Sequence, residues 1–278
     1  MLSDYLLGLG SEGVAEDIRE DGMYELSGYF PMDDNLGGVM KSLKEYCLFL
    51  KDNMKGIEIG EIKTRQIHSS SWMVWREYLK MVRAGSRIVI IPPWEEYEPR
   101  ENESGEGEIV LEINPSLAFG TGHHESTRLA LAGIEEIIGR GGVGSMLDVG
   151  CGSGILSICA SKLGVPDITG FDMDPVAVKE SLKNAAKNSV GGEIKYFTGL
   201  IDGVSGSFDL IAANVYVEPI LSMKEAFMER LAPEGSLVVS GIPLSRGAEA
   251  VDGLSGAGFK MHKERTEGDW VSFELRKI

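Results

Sequence analysis

A glycine-rich run at residues 145–160 carries the clearest chemical signal in the sequence. It reads Ser-Met-Leu-Asp-Val-Gly-Cys-Gly-Ser-Gly-Ile-Leu-Ser-Ile-Cys-Ala. Its three glycines allow a sharp backbone turn that a ligand can approach without meeting a Cβ atom. Asp172 lies 22 residues after the first of them, Gly150. That separation is typical of a carboxylate that binds a ribose hydroxyl, so the pattern predicts a nucleotide-like ligand.

The spacing of the glycines narrows the class of ligand. A dinucleotide-binding loop reads G-x-G-x-x-G, whereas Gly150, Gly152 and Gly154 fall as G-x-G-x-G and Ile155 takes the place of the third glycine. Asp148 also precedes the first glycine by two residues. The spacing therefore disfavours an NAD-dependent enzyme and favours a ligand without a pyrophosphate group. The alternative is a glycine-rich turn in an unrelated α/β protein.

The elements around this run alternate between strands and helices. Apolar runs predict strands at 87–91, 109–113, 146–149, 168–171, 194–197, 208–214 and 237–240, helices at 125–138, 155–163, 175–188, 217–231 and 245–255, and a closing hairpin at 259–266 and 270–276. This alternation predicts an α/β fold with a mostly parallel sheet, whose ligands bind at the carboxyl ends of the strands. Gly150, Asp172 and Asn214 all lie at such ends.

Residues that precede the larger α/β region predict a second, smaller domain. Within residues 1–66 the pattern predicts helices at 2–9 and 36–50 and strands at 23–30 and 57–67. This order suggests an α+β, ferredoxin-like half-sandwich that lacks its first strand. We expect an amphipathic linker helix at 67–84, and the larger domain at 85–278, with a solvated glutamate-rich loop at 95–108.

Composition limits the environment and the partners. The chain of 278 residues has a formal net charge of −16, which disfavours nucleic acid and favours a cationic partner. No apolar run is long enough to span a membrane. The three cysteines show no metal-ligand spacing, so we expect reduced thiols, no metal and a cytoplasmic location. We also expect the protein to act as a monomer.

Two levels of family resemblance follow from these motifs. The pattern Asp-x-Gly-x-Gly-x-Gly from Asp148 resembles the first motif of class I S-adenosylmethionine (SAM) methyltransferases. More specifically, four segments resemble the PrmA family, the methyltransferases of ribosomal protein L11. These segments are Leu117-Ala-Phe-Gly-Thr-Gly-His-His-Glu-Ser-Thr127, Leu147-Asp-Val-Gly-Cys-Gly-Ser-Gly-Ile-Leu156, Gly170-Phe-Asp-Met-Asp-Pro175 and Ala213-Asn-Val-Tyr216.

The resemblance implies a fold, a cofactor and roles for individual residues. It implies a Rossmann-like SAM methyltransferase domain that follows a small N-terminal domain in the sequence. The small domain would dock a basic ribosomal protein, whose lysine or N-terminal amines are methylated. It places these residues at the cofactor: Asp148, Gly150, Gly152, Asp172, Thr127 and Asn214. Phe119, Gly120 and Thr121 would line the cofactor and amine pocket. Asn214 would also orient the amine, and no protein nucleophile is required.

Other interpretations of the same residues remain open at this point. Thr127 could serve only the start of a helix, and Asn214 only a turn at a strand end. His123 and His124 are better explained as helix-entry residues than as catalysts. The segment Asn214-Val-Tyr216 loosely resembles the Asn-Pro-Pro-Tyr of enzymes that methylate glutamine or nucleobase amino groups. A methyltransferase of another protein or small-molecule amine, or a SAM-binding interaction protein without catalysis, also stays possible.

Overall fold

The chain divides into two compact units, Met1–Trp72 and Met73–Ile278. A computed structural model describes residues 5–6, 9, 11, 13–18, 24–30, 36–53, 60–64, 80–101, 107–114, 122–192 and 194–278. No helix in these ranges is both long enough and apolar enough to cross a lipid bilayer.

The N-terminal unit combines two strands and a helix, as the α+β prediction requires. Strand β1 (Gly13–Ile18) pairs antiparallel with β2 (Tyr24–Tyr29), and helix α1 is Leu36–Asn53. Strand β1 was not predicted, because acidic residues interrupt its apolar pattern and its stability comes from pairing with β2. The predicted strand at 57–67 is not seen in its described part, since residues 60–64 have no regular structure. A ferredoxin-like arrangement stays a prediction.

The second unit begins with a three-stranded sheet. Strand β3 (Val82–Ala84) runs antiparallel to β4 (Ile88–Ile91), and β4 runs parallel to β5 (Ile109–Glu112). The linker helix predicted at 67–84 falls largely outside the described residues. Its end is wrong, because Val82–Ala84 is a strand, which its pairing with β4 stabilises.

A seven-stranded sheet forms the body of this unit, and it confirms the predicted α/β class. Its strands are β6 (Ser145–Val149), β7 (Asp167–Asp172), β8 (Ile194–Thr198), β9 (Phe208–Asn214), β10 (Leu231–Pro243), β11 (Phe259–Glu267) and β12 (Trp270–Lys277). Their order is β11-β12-β10-β9-β6-β7-β8. The five strands from β10 to β8 are parallel, whereas the β11–β12 hairpin joins β10 antiparallel.

Helices cover both faces of this sheet. They are α2 (Glu125–Gly139), α3 (Ile155–Lys162), α4 (Pro175–Lys187), α5 (Val217–Ser222), α6 (Lys224–Arg230) and α7 (Gly247–Ser255). Alternate residues of the central strand, β6, point to opposite faces of the sheet. Met146 packs in the hydrophobic cluster under α2 and α3, whereas Leu147 and Val149 pack in the cluster on the other face. The strands are therefore buried on both sides, which explains their nearly continuous apolar sequences.

Two predicted boundaries differ from the structure. The helix predicted at 217–231 is two helices, because Met223 adopts φ −100° and ψ 3° between α5 and α6. The strand predicted at 237–240 extends over Leu231–Pro243. Pairing of Leu231 with Phe208 and of Ile242 with Val271 lengthens it at both ends.

Candidate active site

The carboxyl ends of three parallel strands bring the predicted site residues together. Val149, the last residue of β6, stands opposite Phe171 of β7 on one side and Ala213 of β9 on the other. Asp172 and Asn214 are the next residues of those two neighbouring strands. The loop that starts at Gly150 therefore emerges between a carboxylate and a carboxamide.

The glycines of this loop have conformations that other residues rarely adopt. Gly150, Gly152 and Gly154 have φ values of 68°, 54° and 79°, in the left-handed region. A Cβ atom on Gly150 would lie 2.8 Å from Cγ1 of Val215, the residue that follows Asn214. Glycine at this position thus adds no side-chain atom to the space between the carboxyl ends of β6 and β9, which we call the cradle.

Asp172 links the glycine loop to the start of α4. Its carboxylate accepts hydrogen bonds from the backbone N–H of Gly152 (3.0 Å) and of Asp174 (3.0 Å). The side chain is only partly buried, so it remains accessible to a ligand. Met173, which follows it, is an exposed apolar residue (76%), and so is Leu200 (61%), two residues after Thr198, the strand partner of Asp172. Sequence reasoning missed both, although a single apolar residue directly after a strand-end carboxylate is a usable signal.

Asp148 is a fully buried carboxylate beneath the loop. Oδ2 accepts hydrogen bonds from the backbone N–H (3.0 Å) and hydroxyl (2.6 Å) of Ser157 on α3. Oδ1 is buried and has no hydrogen-bond partner among the described residues. Burial raises the pKa of Asp148 to about 6, and the negative charge of Asp172 adds to the effect, while the bonds from Ser157 oppose it. Ser157 was not identified from the sequence.

A second unpartnered acceptor lies on the β9 side of the loop. The Asn214 side-chain N–H donates to the hydroxyl of Thr127 (3.2 Å), which lies fully buried in the first turn of α2. Asn214 Oδ1 is buried, and no group in the described part of the chain donates to it. The predicted pair Thr127 and Asn214 therefore meets in space, with one amide oxygen left available.

The two histidines have local structural partners. His124 is the N-cap of α2, and its Nδ1 accepts from the backbone N–H of Ser126 (3.2 Å), as the helix-entry interpretation predicts. His123 Nε2 donates to the carbonyl of Lys80 (2.9 Å). Its Nδ1 is buried and finds no partner within the described ranges. Phe119, Gly120 and Thr121 lie outside the described residues.

The chemistry of this edge suits a cationic ligand rich in hydrogen-bond donors. Three side chains have acceptor oxygens at the glycine loop. Oδ1 of Asp148 and Oδ1 of Asn214 have no hydrogen-bond partner among the described residues, and the carboxylate of Asp172 is accessible. A ribose offers hydroxyl donors, and an α-ammonium group offers a positive charge to a buried carboxylate. The missing Cβ at Gly150 leaves room for close approach to the backbone. The residues present therefore fit the predicted SAM.

Comparisons with known proteins agree on one family. Residues 10–278 match the family described as ribosomal protein L11 methyltransferase (PrmA). The ribosomal protein L11 methyltransferase of Pelotomaculum thermopropionicum is 34% identical over 95% of this chain and 82% of its own length. That of Geotalea uraniireducens is 34% identical over 99% of this chain and 93% of its own length.

A solved structure is similar in fold as well as in sequence. It is the ribosomal protein L11 methylase of Lactobacillus delbrueckii subsp. bulgaricus, with a TM-score of 0.64 and 30% identity. The similarity covers 71% of this chain and 98% of that one.

Proposed function

The chain belongs to the PrmA family of ribosomal protein L11 methyltransferases, and we propose that it transfers methyl groups from SAM to amine nitrogens of ribosomal protein L11. One observation supports this most directly. The acceptors of Asp148, Asp172 and Asn214 converge on a loop whose glycines admit a ligand at the carboxyl edge of the sheet. This is where parallel α/β sheets bind their ligands.

We propose the following roles in holding the cofactor. Asp172 binds the ribose hydroxyls, the backbone from Gly150 to Gly152 contacts the amino-acid part, and Asp148 supplies a negative charge beneath it. Thr127 holds the carboxamide of Asn214 in place through their 3.2 Å hydrogen bond. SAM, when bound, supplies an electrophilic methyl group on a positively charged sulfur.

The enzyme must hold the amine of its substrate in the neutral form. A lysine amine has an ordinary pKa near 10.4, so deprotonation at pH 7 costs about 4–5 kcal/mol. A site that excludes water and carries a nearby positive charge lowers that cost. Oδ1 of Asn214 can then accept a hydrogen bond from the amine and direct its lone pair, while Phe119, Gly120 and Thr121 line the amine pocket. Correct positioning contributes most of the rate.

Charge complementarity supports a basic protein substrate. The net charge of −16 favours encounter with a cationic partner, since opposite charges steer association. We propose that residues 1–66 dock the ribosomal protein and that residues 85–278, which follow the linker in the sequence, carry out the chemistry. We also infer a cytoplasmic monomer; the free, buried state of Cys47, Cys151 and Cys159 fits a reducing compartment.

Mass spectrometry of purified ribosomal protein L11 tests the proposed activity. After incubation with the enzyme and isotope-labelled SAM, we expect mass increases in steps of one labelled methyl group. Asp172→Ala should abolish them under the same conditions. Unmodified ribosomal protein L11, together with intact SAM binding in calorimetry, would reject this substrate while keeping the cofactor.

The role of Asn214 is tested by measuring SAM affinity and kcat separately. We expect Asn214→Ala to lower kcat by about 100-fold or more through the lost orientation of the amine. The matched variant Thr127→Val removes only the hydroxyl that holds Asn214, so its kcat should fall less. Full turnover by Asn214→Ala with unchanged SAM affinity would show that this residue does not act on the amine.

A further inference from the structure

Helix α4 and its C-cap, Asn188, carry a row of buried polar side chains that no role in cofactor contact explains. Ser181 and Asn184 are fully buried and Asn188 is 7% exposed. Their spacing of three and four residues places them on one face of the helix. A polar row inside a core is unusual, because each group must find hydrogen-bond partners to offset its desolvation.

The carboxamide of Asn184 joins two separate parts of the site region. Its Nδ2 donates to the carbonyl of Ser153 in the glycine loop (2.9 Å). Its Oδ1 accepts from the backbone N–H of Asn114 (3.2 Å), just beyond the end of β5. One planar group thus contacts the cofactor loop at one end. At the other end it contacts the chain that leads toward residues 119–121.

The neighbouring members of the row contact only one of these parts. Ser181 donates from its hydroxyl to the carbonyl of Gly152 (2.8 Å), on the glycine loop alone. Asn188 accepts from the backbone N–H of Glu112 (2.9 Å) and donates to the carbonyl of the same residue (2.7 Å), on β5 alone. Asn184 lies between them, and its hydrogen bonds reach both parts.

We propose that Asn184 is a positioning residue that couples occupancy of the glycine loop to the position of Asn114, just beyond the end of β5. The coupling rests on the proposed function, because the sequence continues from Asn114 to residues 119–121, which are assigned to the amine pocket there. The rigid amide cannot shift toward one partner without weakening its bond to the other. Since such coupling is reciprocal, a bound cofactor strengthens the Asn114 contact, and an ordered β5 end strengthens cofactor binding.

Calorimetry on a matched set of variants tests the cofactor half of the proposal. We expect Asn184→Ala to weaken SAM binding by about tenfold. Asn188→Ala removes three hydrogen bonds, two to Glu112 and one to the backbone carbonyl of Asn184, but none to the loop. Its SAM affinity should therefore stay within twofold of the wild type. Equal weakening by both variants would reduce Asn184 to a general role in stability and overturn the proposal.

Hydrogen exchange at the Asn114 amide tests the coupling itself. In the wild type, saturating SAM should slow this exchange at least threefold. The slowing should persist in Asn188→Ala and disappear in Asn184→Ala, with SAM saturating in every case. Slowing that persists in Asn184→Ala would contradict the proposal. Neither measurement includes ribosomal protein L11, so a wrong substrate assignment would not change the outcome.

An aspartate at position 184 provides a variant of nearly unchanged shape if the alanine variant fails to fold. A protonated carboxyl group can both donate and accept, whereas a carboxylate can only accept. The SAM affinity of Asn184→Asp relative to the wild type should therefore be close to one at low pH. It should fall about tenfold as the carboxyl ionises. A ratio near one at a pH where infrared spectroscopy shows the introduced carboxyl group to be ionised would show that donation to Ser153 is dispensable.

Discussion

Two fully buried carboxylates in the same sheet have opposite surroundings. Glu274 on β12 lies among three arginines: Arg140 contacts both of its oxygens (2.6 and 3.0 Å), and Arg276 and Arg265 lie 3.2 and 3.5 Å away. Asp148 on β6 has only Ser157 as a partner, and one of its oxygens has none among the described residues. The charge of Glu274 is paired within the chain, whereas an oxygen of Asp148 has no partner among the described residues, as we expect of a group that serves a ligand.

The pKa directions of the two groups carry the same contrast. Burial acts to raise the pKa of Glu274, but hydrogen bonds and charge from Arg140, with Arg276 and His262, outweigh it, and the pKa is lowered. Glu274 therefore stabilises the fold above its ordinary pKa, and this contribution is lost as pH falls. The pKa of Asp148 is instead raised, to about 6, so its effect on stability depends on pH in the opposite direction. Its favourable contribution is present at low pH and is lost as pH rises through about 6.

Removal of the paired charge should give the largest effect. Glu274→Gln leaves three guanidinium groups without their central counterion, so we expect the second unit to lose about 3–5 kcal/mol of unfolding free energy. Urea unfolding followed by tryptophan fluorescence measures this. SAM affinity of the folded variant should stay within twofold. If the variant kept its stability but lost SAM binding, Glu274 would serve the ligand rather than the fold, and the contrast with Asp148 would be wrong.

Removal of the accessible carboxylate should affect binding rather than folding. Asp172→Ala loses the acceptor for Gly152 and Asp174 and for a ribose, so we expect SAM affinity to fall by about 2–3 kcal/mol. Calorimetry measures the affinity and a thermal melt the stability, which should change by less than about 1 kcal/mol. If the melt shifts strongly and affinity does not, Asp172 belongs with the structural charges.

A pair of glycine variants sharpens the same contrast at the backbone. Gly150 and Gly141 have similar positive φ values, 68° and 83°. A Cβ on Gly150 meets Val215 at 2.8 Å, whereas one on Gly141 meets no described atom within 4 Å. Backbone strain should cost each alanine variant about 1 kcal/mol of stability, and the contact with Val215 should add to the loss in Gly150→Ala. Only Gly150→Ala should also weaken SAM binding, by about tenfold. Equal SAM affinities would show that the cradle tolerates a side chain.

Local sequence patterns were sufficient to predict the parallel sheet and the residues at its carboxyl edge. Continuous apolar runs mark strands buried on both faces, and the glycine spacing with Asp172 fixes the loop, so both signals lie close together in the chain. The missed features depend on contacts between different elements of the fold. Ser157 gains its role from Asp148, Asn184 from Asn114, and strand β1 from its pairing with β2. A single sequence does not encode such pairs in any local pattern.

The partners of Glu274 were equally invisible in the sequence. Arg140 lies 134 residues from Glu274 in the chain, and Arg265 lies on the neighbouring strand β11, so these two contacts form only when the β11–β12 hairpin packs beside α2. Arg276 is two residues from Glu274 on the same strand, and only the fold shows that their side chains pair. Each alone reads as an ordinary surface cation. Asp148, in contrast, was identified because the loop that needs it follows two residues later.

Proton release on SAM binding tests most directly whether Asp148 is kept unpaired for a cationic cofactor. A positive group beside Asp148 must lower its pKa from about 6, so binding at pH 6 should release about half a proton and binding at pH 8 almost none. Calorimetry in two buffers of different ionisation enthalpy measures this number. We expect Asp148→Asn to abolish the release at pH 6 and to weaken binding at pH 8. Identical proton release by the wild type and Asp148→Asn would contradict it.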